Sequence, residues 1–237
     1  MKKTVTAFLP CRSGSQRVKK KNTRRFSNIE NGLIYLKLKQ LIKSRSIDKI
    51  ILSTNDEQVK NIAQMLLNDS GGKVVIDDRP DIYATSTAST DDLIQYASQL
   101  FKEEVVLWTH VTSPFIGSQL YDRIISKYFE EINTGYYDSL MTVTKIESFI
   151  WNDHAPINYD RNKEKWPRTQ TLLPVYEVNS GVFLAHSEIY NNYSDRIGER
   201  PYYFELQHPQ SIDIDTEEQY QMAERIWSDY EKEFMGN

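Results

Sequence analysis

Short runs of β-branched and aromatic residues alternate along this chain with longer stretches in which apolar positions recur every three or four residues. That alternation predicts an α/β fold with a mostly parallel central sheet flanked by helices. Strands are expected at residues 5–9, 50–53, 73–76, 104–108, 139–144 and 181–185. Leu93, Tyr96, Ala97, Leu100 and Phe101 fall on one face of a helix, where core packing is their simplest role. Tyr220, Ala223, Ile226, Trp227, Tyr230 and Phe234 form a comparable stripe on a C-terminal helix, with Thr216 as its N-cap and Glu217 and Glu218 in its first turn. From about 145 to 178 the periodicity fails, and Trp151, Pro156, Tyr159, Trp166, Pro167 and Pro174 crowd the segment. A stretch of this length without regular structure reads as a functional or partner-binding excursion from the sheet. No repeat, low-complexity tract or linker interrupts the chain, so residues 1–237 read as a single domain with an extension at about 145–178.

A chain of 237 residues is long enough to bury a substantial core in one α/β domain. The formal net charge of −4 provides no global basic field, which argues against nucleic acid or an anionic membrane as the partner. Cys11 is the only cysteine, so no intramolecular disulfide forms and a reducing compartment is expected. The apolar run ending at Pro10 is too short for a signal sequence or a spanning helix, and the expected location is cytoplasmic.

The densest chemical signal is Leu9-Pro10-Cys11-Arg12-Ser13-Gly14-Ser15-Gln16-Arg17-Val18-Lys19-Lys20-Lys21-Asn22, directly after the first strand. Ligands of parallel sheets bind beyond the carboxyl ends of the strands. A Ser13-Gly14-Ser15 turn exposes backbone N–H groups there, and Arg12 and Lys21 supply the charge to hold a triphosphate. A solvated basic loop is the alternative. Neither the Walker spacing nor the three-glycine dinucleotide fingerprint is present.

The second signal is Ser211-Ile212-Asp213-Ile214-Asp215-Thr216. In extended backbone, Asp213 and Asp215 face one side, roughly 7 Å apart, while Ile212 and Ile214 face the core. Such a pair suits Mg²⁺, which takes a few carboxylate oxygens together with phosphate oxygens and water. The competing reading is that Asp215 ends a strand and helps cap the next helix. The remaining histidines, His154, His186 and His208, lack a metal-ligand spacing, and no G-x-S-x-G elbow supports an acyl-enzyme.

These two motifs resemble those of the acylneuraminate cytidylyltransferases, the CMP-sialic acid synthetases. The resemblance extends to Thr112-Ser113-Pro114, Asn179-Ser180-Gly181, Ser53-Thr54, Arg79-Pro80 and the run Ala84-Thr85-Ser86-Thr87-Ala88-Ser89, all in family order across nearly the whole chain. It implies a Rossmann-like α/β fold, CTP and an acidic sugar of the nonulosonic type as substrates, Mg²⁺ as cofactor, pyrophosphate as product, and a homodimer in which an extension reaches toward the partner's active site. Carried over, Arg12, Ser13, Gly14, Ser15 and Lys21 face the triphosphate, Asn22, Arg79, Ser86, Ala88 and Ser89 complete the nucleotide site, and Asp213 and Asp215 hold the metal. His110, Thr112, Ser113 and Asn179 fall on the acceptor side. Arg12, Lys21, Asp213 and Asp215 carry the catalytic roles.

The chain departs from the family at Lys19, often Pro, and at Asn55, often Asp. His110 replaces a Gln, Ile116 an Arg, and Glu177 stands near a usual cation, all on the acceptor side. Arg168, in the irregular segment, is the expected compensating cation for a sugar carboxylate. The competing readings are a cytidylyltransferase for another acidic acceptor such as 3-deoxy-octulosonate, and a CTP-binding protein without catalysis.

Overall fold

Strand β1 (Val5–Pro10) is buried along nearly all its length, which is why its sequence is a continuous apolar run rather than an alternating one. The structure is a computed structural model and describes residues 3–14 and 17–235. Ser15 and the side chains of Tyr230 and Phe234 lie outside what is described.

The chain continues through α1 (Gly32–Lys43), β2 (Lys49–Thr54), α2 (Glu57–Gln64), β3 (Val74–Asp78), α3 (Thr90–Ser98), β4 (Val105–Thr109), α4 (Ser118–Asn133), β5 (Ser139–Ile146), β6 (Val175–His186), α5 (Ser187–Tyr193), β7 (Pro201–Glu205) and α6 (Glu217–Met235). The seven strands form one sheet in the order β3-β2-β1-β4-β6-β5-β7. Neighbouring strands are parallel except where β6 runs against β4 and β5, so the expected mostly parallel, helix-flanked sheet is present. The order reverses between β1 and β4, and such a switch point leaves a crevice at the strands' carboxyl ends.

Two buried layers cover the sheet. One includes Leu33, Leu36, Tyr121, Ile124, Tyr220 and Trp227 from α1, α4 and α6, and the other packs Phe8, Trp108 and Phe183 against Ile94, Ala97 and Tyr190 of α3 and α5. The helical stripe expected around Leu93 therefore packs in the core, although α3 ends at Ser98 and Leu100 and Phe101 lie beyond it. On α6, Thr216 Oγ1 accepts from the N–H of Gln219, and Gln219 Oε1 accepts in return from the N–H groups of Asp215 and Thr216. This reciprocal arrangement is a capping box, with Gln219 as the partner that the sequence reading did not anticipate.

Two strand boundaries differ from expectation. β6 begins at Val175, before the expected 181, and β7 was not foreseen. Both misses have one cause: the first four residues of β6 are half-buried or exposed, and β7 is an edge strand with no fully buried position, so neither has a core-facing run. The irregular excursion is thereby shortened to residues 147–174, the tip of the antiparallel β5–β6 pair.

Gly32 shows how tightly the opening loop is folded onto α1. Its φ is +67°, and a Cβ there would stand 2.3 Å from the Arg24 carbonyl oxygen and 2.9 Å from that of Asn22. Gly32→Ala should therefore lower stability by about 3 kcal/mol, because backbone atoms cannot give way as a side-chain tip would. Urea denaturation checks this; an unchanged midpoint would contradict the close approach.

Candidate active site

A cleft of about 520 Å³ lies beyond the carboxyl ends of β1 and β4, lined by Arg12, Arg17, Lys21, Arg79, Ser86, Leu93, His110, Thr112, Asp213 and Asp215 among others. The motif after the first strand and the aspartate pair, 193 residues apart from Lys21 to Ile214, meet here directly: Lys21 Nζ donates to the Ile214 carbonyl at 2.7 Å and stands 3.6 Å from Asp215 Oδ1.

The opening loop is held from several sides. The Cys11 N–H donates to the Ser53 carbonyl at 2.9 Å, and the Ser13 N–H donates to Asn55 Oδ1 at 3.1 Å. Asn55 then uses its Nδ2 to reach Asp81 Oδ1 at 3.1 Å. An Asp at position 55 would have no donor for Asp81, so the amide is the better side chain in this surrounding. Gly14 has φ +77°, a left-handed conformation that suits the turn to glycine. Burial pushes the Cys11 thiol up to about 12, with Asp56 adding to the shift, so it is an inert packing group.

Arg79 is almost fully buried, with Nε and a terminal nitrogen on the Ser53 side chain and carbonyl at 3.0 and 2.6 Å. It fixes a positive charge at the end of β2. Of the loop 84–89, Ser86 lines the cleft, whereas Ser89 caps α3 through a reciprocal bond with Asp92 and Ala88 donates its N–H to Thr85. Asn22 lines the cleft and reaches the Arg12 carbonyl at 3.5 Å.

The aspartates lie outside any strand, yet the expected alternation survives: Ile212 and Ile214 are buried and Asp213 and Asp215 face the cleft. A backbone bond, Ile214 N–H to the Thr112 carbonyl at 2.9 Å, pins the segment to the loop after β4. Burial raises the Asp213 carboxyl, and the Asp215 charge raises it further, against a hydrogen bond from Thr112. Asp213 Oδ1 is buried without a hydrogen-bond partner, an energetically unfavourable state that a bound cation would relieve. Asp215 is paired with Arg17 at 2.9 Å, but both side chains are well exposed, at 69% for Arg17 and 42% for Asp215. A pair so wet contributes little and exchanges readily. Among the described residues no set of three or more His, Cys, Asp or Glu converges on one point. The site therefore offers two carboxylates and leaves other positions to phosphate and water, which is how small hard divalent cations are commonly bound.

The loop after β4 rests on Lys37, which the sequence reading missed. Lys37 is fully buried in α1, and its Nζ donates to the carbonyls of Ser113 and Ile116 and to the Tyr121 hydroxyl at 2.7, 3.3 and 2.8 Å. Gln40 holds the Pro114 carbonyl at 2.6 Å. Both sit among apolar residues of an amphipathic helix, so only their burial distinguishes them from surface polar positions. Arg17 was also missed, because within a run of cations nothing singles it out.

His110 lines the cleft, is half-buried and leaves a buried Nε2 without a partner. Burial lowers the imidazole to about 3, and the charges of Arg196, Lys21 and Lys37 add to the effect. It is neutral in the fold at every physiological pH. Since the unfolded chain takes up the proton near pH 6.5 and the folded chain does not, stability is full above that pH and falls on acidification. Comparing pH 7.5 with pH 5, wild type should lose about 2 kcal/mol more than His110→Gln, which has no proton to gain. Thermal melts of both proteins across that range test this; parallel curves would contradict it.

Asn179 is buried on β6 at a bulge, where Met141 faces Phe183 but Val143 faces Val178. Its Oδ1 accepts from Thr142 Oγ1 at 2.8 Å and its Nδ2 donates to Thr144 Oγ1 at 3.2 Å. It braces the sheet beside Gly181 and is not among the residues lining the cleft. Ile116, in place of the Arg expected there, is buried against Gly181, where a Cβ would come within 2.6 Å of its Cδ1. Ser113 is likewise buried, and its Oγ has no partner. Arg168 is exposed in the excursion, outside the cleft lining, and Glu177 is exposed on β6.

The family profile described as Cytidylyltransferase matches residues 6–235 of the chain. The N-acylneuraminate cytidylyltransferase of Escherichia coli O18:K1:H7 is 24% identical over 230 residues, covering 94% of this chain and 52% of that protein. The pseudaminic acid cytidylyltransferase of Campylobacter jejuni is 25% identical over 183 residues, covering 74% of this chain and 75% of that protein. The chain thus spans about half the length of the N-acylneuraminate relatives. Among solved structures, CMP:2-keto-3-deoxy-manno-octonic acid synthetase complexed with CTP superposes with a TM-score of 0.63 at 13% identity, covering 95% of this chain and 99% of the other. The 4-diphosphocytidyl-2C-methyl-D-erythritol synthase of Anaerococcus prevotii gives 0.65 at 15% identity, with 95% and 96% covered. At these identities the two structures speak for the fold.

Proposed function

The chain belongs to the cytidylyltransferase family, and from that premise we propose that it activates an acidic sugar of the nonulosonic, sialic-acid-like class with CTP, releasing pyrophosphate. The observation that carries the reading is the meeting, in one cleft at the switch point of the sheet, of four cationic side chains with an aspartate pair whose buried oxygen lacks a partner. A triphosphate needs the first and a divalent cation the second.

In the proposed reaction the anomeric hydroxyl of the sugar attacks the α-phosphorus of CTP, the new P–O bond forms as the bond to the bridging oxygen breaks, and pyrophosphate leaves. Arg12, Lys21 and the fixed Arg79 hold the phosphates and stabilise the charge that develops on them. Arg17 releases Asp215 to do the same when the anion arrives, an exchange made cheap by its exposure. Asp213 and Asp215 would hold Mg²⁺, which draws charge from the phosphate oxygens when bound. Lys37 keeps the loop bearing Thr112 at the fixed height that Asp213 requires. His110 is neutral and accepts or donates a single hydrogen bond; with so low an affinity for protons it orients rather than carries one away.

Two further points belong to the same reading. The excursion 147–174 exposes Trp151, Ile157, Trp166 and Leu173, an apolar surface that supports a homodimer in which this arm, with Arg168, meets the partner. A sizing measurement showing only monomer at micromolar concentration would count against it. We also place the protein in the cytoplasm, where its sole cysteine, buried and in no disulfide, stays reduced; no described helix is long and apolar enough to cross a membrane.

The experiment is pyrophosphate release with each of CTP, UTP, ATP and GTP in the presence of N-acetylneuraminate or pseudaminate and Mg²⁺. Release with CTP alone, abolished by chelation, is expected; equal release with a purine triphosphate would overturn the nucleotide assignment.

A further inference from the structure

Three carbonyl groups of the turn 113–116, after β4, are directed at polar side chains of α1. The Ser113 and Ile116 carbonyls accept from Lys37 Nζ at 2.7 and 3.3 Å, and the Pro114 carbonyl accepts from Gln40 Nε2 at 2.6 Å. The Tyr121 hydroxyl closes the site from α4, 2.8 Å from Nζ. Lys37, Gln40, Ser113 and Tyr121 are all buried. Ser113 Oγ and Gln40 Oε1 lack partners as well, so oxygen lone pairs outnumber donors here. Among the described residues no carboxylate pairs with Lys37, and burial alone lowers its pKa.

The directions of the hydrogen bonds fix the state of this amine. Thr109 Oγ1 donates its one hydrogen to the Gly181 carbonyl at 2.7 Å, so in the 2.8 Å bond between Thr109 and Tyr121 the tyrosine is the donor. The Tyr121 oxygen is then left to accept from Lys37, and Nζ faces three acceptors. An ammonium has three hydrogens to meet them, whereas a neutral amine has two and would set its lone pair against an oxygen. Lys37 is therefore a buried cation. Without a counter-ion such a charge is costly, and here the negative ends of carbonyl and hydroxyl dipoles take the place of a carboxylate. Clustered oxygen dipoles of this kind are ligands for a small monovalent cation.

We infer that the turn 113–116 and Tyr121 form a binding site for a small monovalent cation, that this chain fills the site with its own Lys37, and that filling it sets the position of the aspartate pair. Ser113 directly follows Thr112, which holds Ile214 through its carbonyl at 2.9 Å and Asp213 through its side chain. The cation thus acts on the cleft through an unbroken chain of bonds, and Lys37 is a positioning residue. Emptied of its lysine, the site should take up a free alkylammonium ion. The effect on catalysis rests on the proposed function; the cation site does not.

The test is chemical rescue of Lys37→Ala, which lacks the atoms of a propylammonium ion. Two quantities are measured: the thermal midpoint without substrates, and kcat for pyrophosphate release with CTP, N-acetylneuraminate and Mg²⁺. Lys37→Ala should melt well below wild type and lose about 100-fold in kcat, the scale of a small displacement at a reacting centre. Propylammonium should raise the midpoint and restore turnover. The uncharged 1-propanol, of nearly the same shape, should do neither, and wild type should respond to neither compound. Lys37→Met fills the space without the charge, and it should lose turnover to the same degree and gain nothing from the amine. Equal rescue by 1-propanol, or wild-type turnover in Lys37→Met, would show that only volume matters and overturn the inference, as would a Lys37→Ala chain that propylammonium leaves unfolded. A restored midpoint with turnover still lost would overturn the link to the aspartate pair. Should wild type release no pyrophosphate while propylammonium alone still raises the midpoint of Lys37→Ala, the proposed function fails and the cation site stands.

Discussion

Asp213→Asn should abolish pyrophosphate release, with kcat falling by about 1,000-fold or more, and should at the same time leave the protein folded and slightly more stable. The two effects have one origin. Asp213 is a half-buried carboxylate raised in pKa by desolvation, with one buried oxygen that finds no partner, so the folded chain carries a cost for that charge that a bound cation would relieve. The amide removes the charge and the cost together. A thermal midpoint at or above that of wild type, combined with lost turnover, is the expected signature. A lowered midpoint would indicate that Asp213 is structural, and turnover within tenfold of wild type would remove it from the reaction.

Lys21→Met should weaken CTP binding by about 100-fold and lower kcat as well, by the loss of a cation placed where charge develops. The side chain is mostly buried, with its Nζ against the Ile214 carbonyl and beside Asp215, so it ties the opening loop to the aspartate segment as well as lining the cleft. Methionine keeps the stem but leaves the Ile214 carbonyl without its donor, which should cost about 1 to 2 kcal/mol of stability. Arg17→Met supplies the contrast. Its ion pair with Asp215 is exposed, so stability should not change and the loss in CTP affinity should be well under that of Lys21→Met. Titration calorimetry with CTP ranks the two, and equal losses would contradict the division of roles.

The sheet was legible wherever a strand is buried on both faces, as at β1, β2 and β4, because continuous apolar runs have no other economical use in a chain of this kind. β7 and the start of β6 were not, since neither carries such a run, whereas β3, also at the sheet's edge, shows itself through Val74, Val75 and Ile76. The same distinction holds at the cleft. The phosphate loop and the aspartate pair are contiguous motifs, so their residue types and spacing are visible before folding. Lys37 becomes notable only through what surrounds it: it is a lysine within an apolar helix, and its significance lies in its burial against carbonyls from a segment far away in sequence. Ser89 shows the reverse case. The motif drew it toward the nucleotide, while the fold spends it on the capping box of α3.

The most direct test of the central claim is to incubate the purified protein with CTP, Mg²⁺ and, separately, N-acetylneuraminate, pseudaminate and 3-deoxy-octulosonate, and to identify the products by mass and by phosphorus NMR. A CMP-linked nonulosonic acid formed in equal amount with pyrophosphate, and absent with Asp213→Asn, is the predicted result. CTP binding with no CMP-sugar from any of the three acids would contradict it.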